Sequence, residues 1–105
     1  MLPTAQTYDD LIQRFSWNIP AFYNLGVDVS DRLAEVNPSA LALIDLGQDG
    51  QERHYTFSQI AALSNQLANV LQAHGLQRGD RVGVLLPQAL ETALSHVAVT
   101  KLGAI

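Results

Sequence analysis

Residues 75–87 read Gly-Leu-Gln-Arg-Gly-Asp-Arg-Val-Gly-Val-Leu-Leu-Pro. A tight polar loop, Gln77–Asp80, leads into the segment Arg81–Leu86, in which every residue after the arginine is apolar or glycine. Continuous rather than alternating hydrophobicity is typical of a strand that is buried on both faces of a parallel sheet. The sequence therefore predicts a buried parallel strand over Arg81–Leu86.

A helix is predicted immediately upstream, over residues 58–75. Thr56 and Gln59 have the spacing of a capping box at its start. Gly75 fits the left-handed position after a helix, and Leu76 would fold back against the last turn as in a Schellman motif. The predicted core-facing stripe consists of Ile60, Leu63, Leu67, Val70 and Leu71.

A second helix is predicted downstream, with Pro87 in its first position, where the missing N–H of proline is not needed. Gly103 is predicted to end this helix, and residues 103–105 resemble the start of another strand. Its predicted apolar face consists of Ala89, Leu90, Ala93, Leu94, Val97 and Leu102.

Residues 40–57 are predicted to form a β-hairpin. Ala40–Leu46 would be the first strand, Gly47–Gly50 the turn and Arg53–Phe57 the return strand, because Asp-Gly is a favourable turn pair. Tyr55 and Phe57 would share one face of the return strand, with His54 on the other. The order hairpin, helix, strand, helix predicts an α/β fold with a βαβα unit and right-handed crossovers.

Residues 1–39 are predicted to be a leader with short helices, and residues 40–105 the first part of the α/β domain. Thr7 is a suitable N-cap for the first helix. A second short helix is expected over Val29–Glu35, because the residue before Pro38 avoids the helical region. The aromatic cluster of Trp17, Ile19, Phe22 and Tyr23 fits either packing against the rest of the protein or a partner surface.

Composition limits the classes of function. The chain has 105 residues, 48% of them hydrophobic, with six basic and ten acidic side chains and no cysteine. A basic stripe for nucleic acid is missing, and no disulfide or cysteine-ligated metal can form. The N-terminus lacks a signal-peptide pattern, and the apolar runs are too short for a membrane span. A cytoplasmic protein without a membrane span is expected.

The chain offers few candidates for chemistry, and no catalytic, metal-binding or cofactor-binding residue is predicted. His54, His74 and His96 are far apart and lack the spacing of a helical metal pair. The turn after Leu86 has no glycine-rich phosphate motif. The remaining candidates are interpreted as structural: the capping carboxylates Asp9/Asp10 and Asp28/Asp31, the local ion network of Arg78, Asp80 and Arg81, and Lys101 near a helix C-terminus.

Several segments together resemble the AMP-forming acyl-CoA synthetases of the adenylate-forming family. Gly75–Pro87 is similar to the family's GxxxGDRVxxxLP segment, and Lys101–Ile105 to its KxGAI element. The family's first long helix is similar to Tyr55–Ser58 with Leu63–Ala68. The leader resembles that of the acetyl-/medium-chain branch at Phe15–Trp17, Ile19–Pro20, Tyr23–Asn24 and Val29–Arg32.

The resemblance implies a ligase that uses ATP, Mg²⁺ and coenzyme A. In that family a carboxylic acid and ATP form an acyl-adenylate and pyrophosphate, and the thiol of coenzyme A then displaces AMP. The motifs that carry this chemistry match no segment here, so Lys101 is not the family's catalytic lysine. The resemblance thus implies that these residues are the N-terminal part of a longer enzyme, inactive scaffold on their own, with exposed apolar surface that favours self-association.

Two alternatives remain open at this point. One is a stand-alone α/β interaction module without catalysis, which would bind a partner through the Trp17–Tyr23 segment or the Leu90/Leu94 helix face. The other is an adenylation domain of a peptide-assembly or luciferase-like branch, which would share the same scaffold. The acyl chain length of a substrate is not readable from these residues.

Overall fold

The computed structural model describes residues 4–47 and 49–105, so Met1–Pro3 and Gln48 of the predicted turn lie outside it. The elements in chain order are α1 (Tyr8–Arg14), a π-helical turn (Val27–Asp31), α2 (Arg32–Val36), β1 (Leu41–Leu46), β2 (Glu52–Thr56), α3 (Phe57–Ala73) and α4 (Leu90–Lys101). The mixed α/β character predicted from the sequence is confirmed.

Helix α3 begins and ends with the predicted local motifs. The Thr56 hydroxyl accepts from the Gln59 backbone N–H at 3.3 Å, and the Gln59 side-chain oxygen Oε1 accepts from the Thr56 backbone N–H at 2.8 Å. At the other end, Gly75 has φ of 96°, and the Leu76 N–H donates to the Leu71 carbonyl at 3.1 Å. These bonds satisfy helix-end groups that have no partner within the helix.

The buried face of α3 differs from the predicted stripe. Its buried residues are Ile60, Ala61, Ser64 and Ala68, whereas Val70 is 52% exposed. The prediction counted only large apolar side chains and so placed the stripe too far round the helix. Small residues face the neighbouring elements because they allow close approach of the two backbones, which apolarity alone does not reveal.

The hairpin is antiparallel, as predicted, with Leu43 opposite Tyr55 and Leu46 opposite Glu52. The register shifts between Leu41 and Leu43, where the pairing is irregular. The prediction that Phe57 belongs to the return strand is wrong, because Phe57 is the first residue of α3. The capping box at Thr56 turns the chain into the helix one residue earlier than the alternating pattern indicated.

Helix α4 begins at Leu90 and not at Pro87, so the prediction for its start is wrong. The Thr92 hydroxyl donates to the Pro87 carbonyl at 2.6 Å, and the Thr92 N–H donates to the Ala89 carbonyl at 3.1 Å. The carbonyl of Pro87 is therefore used by a side chain instead of a helical N–H. The helix ends before Gly103, whose φ is 70°.

The segment Arg81–Leu86 is not a buried strand, which corrects the central prediction. No regular ladder is formed along it, and Leu85 is 98% exposed. The predicted start of another strand after Gly103 does meet it, because the Ile105 N–H donates to the Asp80 carbonyl at 2.8 Å. Burial on two faces requires neighbours on both, but within the described residues the side chains of α3 and α4 lie beside one face only, and Ile105 pairs with the edge.

The leader contains the predicted short helices. Thr7 caps α1 through its hydroxyl, which accepts from the Asp10 N–H at 3.2 Å. The second helical segment starts at Val27 as a π-helical turn, two residues earlier than predicted, and ends at Val36, before Asn37 and Pro38. Helix α1 contributes no buried residue, whereas Ser30 in the later half of the leader is fully buried.

The core is small for a chain of this length, and it is made of Ile60, Ala61, Ala68, Leu94, Ala98, Val99 and Ala104. The radius of gyration is 17.2 Å, against about 13 Å for a compact domain of this size. The accessible surface is 8116 Å², against about 5,800 Å² for a folded monomer of this mass. Much of the apolar surface is consequently left uncovered.

Candidate functional site

A buried polar cluster around Lys101 connects the leader to α3 and α4. The Lys101 ammonium lies 2.6 Å from an Asp31 carboxylate oxygen, 2.9 Å from the Ser64 hydroxyl and 2.8 Å from the Asn65 side-chain oxygen. The Lys101 side chain is only 6% exposed. An ammonium group has three N–H donors, and these three acceptors use all of them.

Asp31 is held from three directions. One oxygen receives Lys101 and the Ser30 hydroxyl, the latter at 3.0 Å, and the other receives the Asn65 amide at 3.1 Å. Burial alone would raise the pKa of Asp31, but the hydrogen bonds from Lys101, Asn65 and Ser30 and the charge of Lys101 keep its pKa below the usual value. The carboxylate is thus stabilised in its charged form.

The backbone of the leader approaches α4 closely beside this cluster. The Asn24 amide donates to the Lys101 carbonyl at 2.8 Å, which satisfies a carbonyl at the C-terminus of the helix. A Cβ atom on Gly26 would lie 2.7 Å from the Lys101 backbone nitrogen and from the Val97 carbonyl oxygen. Only glycine fits there without a shift of the backbone, so Gly26 sets the distance between leader and helix.

The contacts of Asp31 and Asp28 were not predicted from the sequence. Asp31 was interpreted as a helix cap, but its side chain makes no capping hydrogen bond. Asp28 was also interpreted as a cap. Its carboxylate instead pairs with Arg32 at 2.5 Å and accepts a hydrogen bond from the Tyr23 hydroxyl at 2.7 Å. Lys101 is the only lysine of the chain, and Asp31 precedes it by 70 positions. No local spacing could have paired them, since the contact exists only when α4 lies against the leader.

The histidines are not brought together by the fold. His54 lies 3.3 Å from Glu52 on the exposed hairpin, His74 is the C-terminal cap of α3, and His96 is exposed on α4. Among the residues that the structure describes, no three His, Asp or Glu side chains are close enough to hold a metal ion. No helix in those residues is long and apolar enough to cross a membrane.

The predicted ion network of Arg78, Asp80 and Arg81 is absent from residues 4–47 and 49–105. The Asp80 carboxylate accepts instead from the Gln77 N–H at 2.8 Å, and this bond closes the loop. The Arg78 side chain lies over Gly103, where a Cβ atom would be 3.1 Å from its Cγ. The loop is therefore closed by the hydrogen bond between the Gln77 backbone N–H and the Asp80 carboxylate, and neither arginine takes part in it.

The hairpin and the start of α4 enclose an open cleft of about 330 Å³, lined by Asp45, Arg53 and Tyr55 and by residues 87–91. Arg53 lies 2.5 Å from Asp49 and 3.9 Å from Asp45. A backbone hydrogen bond from Gln51, together with the Arg53 charge, keeps the pKa of Asp49 below its usual value. Among the described residues that line the cleft, Arg53 is the only cation, and it is already paired with carboxylates.

Comparison with known proteins identifies the family. A family profile described as "AMP-binding enzyme" matches residues 30–105. The human mitochondrial acyl-coenzyme A synthetase ACSM3 is 34% identical over a 104-residue alignment that covers 93% of this chain and 18% of that protein. The propionate–CoA ligase of Escherichia coli K12 is 37% identical over a 105-position alignment that covers 98% of this chain and 17% of that protein.

Solved structures agree with this assignment. The Brucella canis acyl-CoA synthetase superimposes with a TM-score of 0.83 at 25% identity, over 93% of this chain and 19% of that chain. The N-terminal subdomain structure of Klebsiella oxytoca NpsA superimposes with a TM-score of 0.69 at 27% identity, over 80% of this chain and 20% of that chain. The chain spans less than a fifth of the length of the curated relatives named above. The resemblance in the sequence is thereby confirmed, and the chain belongs to the AMP-binding enzyme family, with acyl-CoA synthetases among its relatives.

Proposed function

We propose that these residues are the N-terminal scaffold of an AMP-forming acyl-CoA synthetase. Such an enzyme joins a carboxylic acid to AMP from ATP, with loss of pyrophosphate, and then transfers the acyl group to the thiol of coenzyme A. The observation that carries the proposal is the match over nearly the whole chain to relatives named as CoA ligases, together with the TM-score of 0.83 to an acyl-CoA synthetase.

The role proposed for this chain is to position other parts of the enzyme. Lys101 has no free donor, because Asp31, Ser64 and Asn65 accept all three of its N–H groups. The described carboxylates form no cluster that fits Mg²⁺, so we derive no step of the reaction through ATP, Mg²⁺ or coenzyme A on these residues. Acyl and phosphoryl transfer need cations and donors aimed at the reacting groups. Those groups would have to come from elsewhere in the enzyme.

A chimeric enzyme tests the proposal. This chain would replace the matching 17% of the E. coli propionate–CoA ligase, and ATP–pyrophosphate exchange with propionate would be measured. We expect exchange within about tenfold of the parent enzyme, equivalent to about 1.4 kcal/mol of barrier, because only scaffold is replaced. The 105-residue chain alone should show no exchange with acetate, propionate or a medium-chain acid.

Two outcomes would contradict the proposal. Exchange by the chain alone would show that it contains catalytic groups, and a chimera that folds with the parent's circular dichroism spectrum but shows no exchange would show that it is not an equivalent scaffold. A chimera carrying Arg14→Met is the matched control for unrelated surface changes, because Arg14 is exposed and, among the described residues, its ion pair is with Asp10 of the same helix α1. It should exchange pyrophosphate like the unsubstituted chimera.

A second candidate, a binding module, is favoured by the exposed aromatic segment of the leader. Trp17 is 80% exposed and Phe22 is 95% exposed, although residues of this size are usually covered. The alternative face at Leu90/Leu94 is not available, because Leu94 is buried. A compact monomer by gel filtration would favour the module, whereas an expanded or self-associating chain favours the scaffold. A cytoplasmic location and self-association through exposed apolar surface remain parts of the scaffold proposal.

A further inference from the structure

The leader segment 24–36 contacts both α3 and α4, and the contacts that attach it are polar or involve glycine. Asp31 lies 2.6 Å from the Lys101 ammonium and accepts from the Asn65 amide at 3.1 Å. The Asn24 amide donates to the Lys101 carbonyl at 2.8 Å, and Gly26 is buried against the backbone of Lys101. Lys101 thus takes part in all but one of these contacts. We call residues 24–36 the strap.

The strap buries little apolar surface. Its fully buried residues are the small Gly26 and Ser30. Its large apolar side chains are each at least 40% exposed, namely Leu25, Val27, Val29, Leu33 and Val36. Helices α3 and α4, in contrast, supply most of the buried apolar core. Regions with few buried apolar contacts open at a lower free energy than the core does. The strap is therefore the part of this helical layer that is least firmly held.

The chain on either side of the strap suits a hinge movement. Residues 15–24 form no helix or strand. At the other end, Asn37 leaves the helical region, with φ of −148° and ψ of 81°. The chain is attached again at Pro38, whose carbonyl accepts from the Ser58 N–H at 3.1 Å. Hinges are a few residues at the ends of elements that absorb a change in backbone dihedral angles. Rotation at Asn37 would therefore move the strap and leave the start of α3 in place.

We propose that the strap opens from α3 and α4 as one unit while these two helices stay packed, and that the Asp31–Lys101 pair is its latch. In the closed strap the Lys101 side chain is 6% exposed and each of its three N–H groups has an acceptor. Opening removes Asp31 and admits water to the Lys101 amine. A detached helix of this length is marginal in water, so the open strap also loses its helical hydrogen bonds. This inference does not depend on ligase activity.

Chemical labelling of Lys101 measures the opening directly, because Lys101 is the only lysine of the chain. The full chain would be treated with the N-hydroxysuccinimide ester of acetic acid at increasing urea concentrations below the unfolding transition. Mass spectrometry of the peptide that contains Lys101 separates this label from one on the N-terminal amine. Labelling of the chain unfolded in concentrated urea gives the reference rate.

We expect Lys101 in the native chain to be labelled at least about tenfold more slowly than in the unfolded chain. The rate should depend on urea less steeply than global unfolding does, because opening the strap exposes less surface. A urea dependence equal to that of global unfolding would overturn the proposal, since Lys101 would then be reached only when the whole chain unfolds. Labelling as fast as in the unfolded chain would show that the latch is not closed.

Two substitutions within the strap provide a matched pair. Asp31→Asn removes the carboxylate that contacts Lys101, whereas Asp28→Asn removes one that pairs with Arg32 and accepts from Tyr23. We expect Asp31→Asn to raise the labelling rate of Lys101 by about tenfold or more, because the ammonium loses its charged partner. Asp28→Asn should change this rate by less than about twofold, because it disrupts an exposed pair.

Amide exchange in the same variants shows whether the strap opens alone. In Asp31→Asn, exchange of the strap amides should accelerate, while the amides of Ile60, Leu94 and Ala98 should exchange as in the unsubstituted chain. Equal acceleration in the strap and in both helices would overturn the separate opening. Equal labelling of Lys101 in the two variants would show that Asp31 is not the latch. If Asp31→Asn does not fold, the urea dependence of labelling in the unsubstituted chain still decides between opening of the strap and global unfolding.

Discussion

The Lys101 cluster is polar and yet buried, whereas segment 81–86 is apolar and yet mostly exposed, with only Val82 and Val84 half-buried. The Lys101 side chain is 6% exposed, whereas Leu85 is 98% exposed. Every donor of the Lys101 ammonium has an acceptor, while the backbone of residues 83–86 has no backbone partner in the described chain. The comparison shows that burial follows the availability of partners, and that side-chain polarity alone does not decide it.

Three sides of the Lys101 cluster come from different parts of the chain, namely the leader, α3 and α4. Charged groups in an interior are tolerated when hydrogen bonds and an opposite charge replace water. The segment 81–86 has apolar side chains suited to an interior, but it contacts helices on one face only. Its far face and its edge would become an interior only if another layer or strand covered them.

The largest expected effect is at Lys101. Lys101→Met should lower the free energy of unfolding of the chain by about 3 kcal/mol, because it leaves the Asp31 carboxylate without its charged partner. Urea denaturation followed by circular dichroism would measure it. The matched control is Arg14→Met, which breaks an exposed pair and should change stability by less than about 0.5 kcal/mol. Similar losses of stability from Lys101→Met and Arg14→Met would contradict the conclusion that the buried Lys101 cluster stabilises the fold more than an exposed ion pair does.

A smaller effect is expected from pH, through Asp31. The pKa of Asp31 is lowered in the folded chain. Its contribution to the free energy of unfolding is therefore complete above the unfolded pKa of about 3.9 and is lost as pH falls through the lower folded pKa. The stability advantage of the native chain over Asp31→Asn should therefore shrink between about pH 5 and about pH 2. Denaturation of both chains across this range measures it, and an advantage that does not vary with pH would show that the charge of Asp31 is irrelevant.

The smallest effect is expected at Leu85. Leu85→Ala should change the free energy of unfolding by less than about 0.5 kcal/mol, because the side chain is already in water. The same change at the buried Leu94 should cost about 2 kcal/mol or more. Light scattering should also show less self-association for Leu85→Ala, because it reduces exposed apolar surface. A loss at Leu85 equal to that at Leu94 would mean that segment 81–86 is covered in solution.

Local sequence signals predicted the elements well where all the residues of a signal lie close together in the chain. The capping box at Thr56, the left-handed Gly75 and the N-cap at Thr7 involve residues a few positions apart, and all three are confirmed. The start of α4 was misplaced because Pro87 has a favourable first-turn geometry, but a Thr92 side chain takes its carbonyl. Such competition between side chain and backbone depends on a rotamer, which the sequence pattern does not include.

The candidate site was less predictable. Asp31 and Lys101 were both assigned local helix-end roles, and neither assignment included their contact with each other. The close approach that Gly26 permits likewise depends on where α4 lies. These contacts join positions that are distant in the chain, so one sequence without the fold contains no direct sign of them.

By itself the sequence determined the helix caps, the hairpin, the α/β class and the family, because short-range hydrogen bonds and motif spacing are written in neighbouring residues. Only the tertiary structure decided which apolar surfaces are buried and which charges are paired. The physical reason is that burial and ion pairing are properties of two surfaces in contact. Segment 81–86 has the composition of a buried strand, but its burial depends on neighbours along its edge and over its second face.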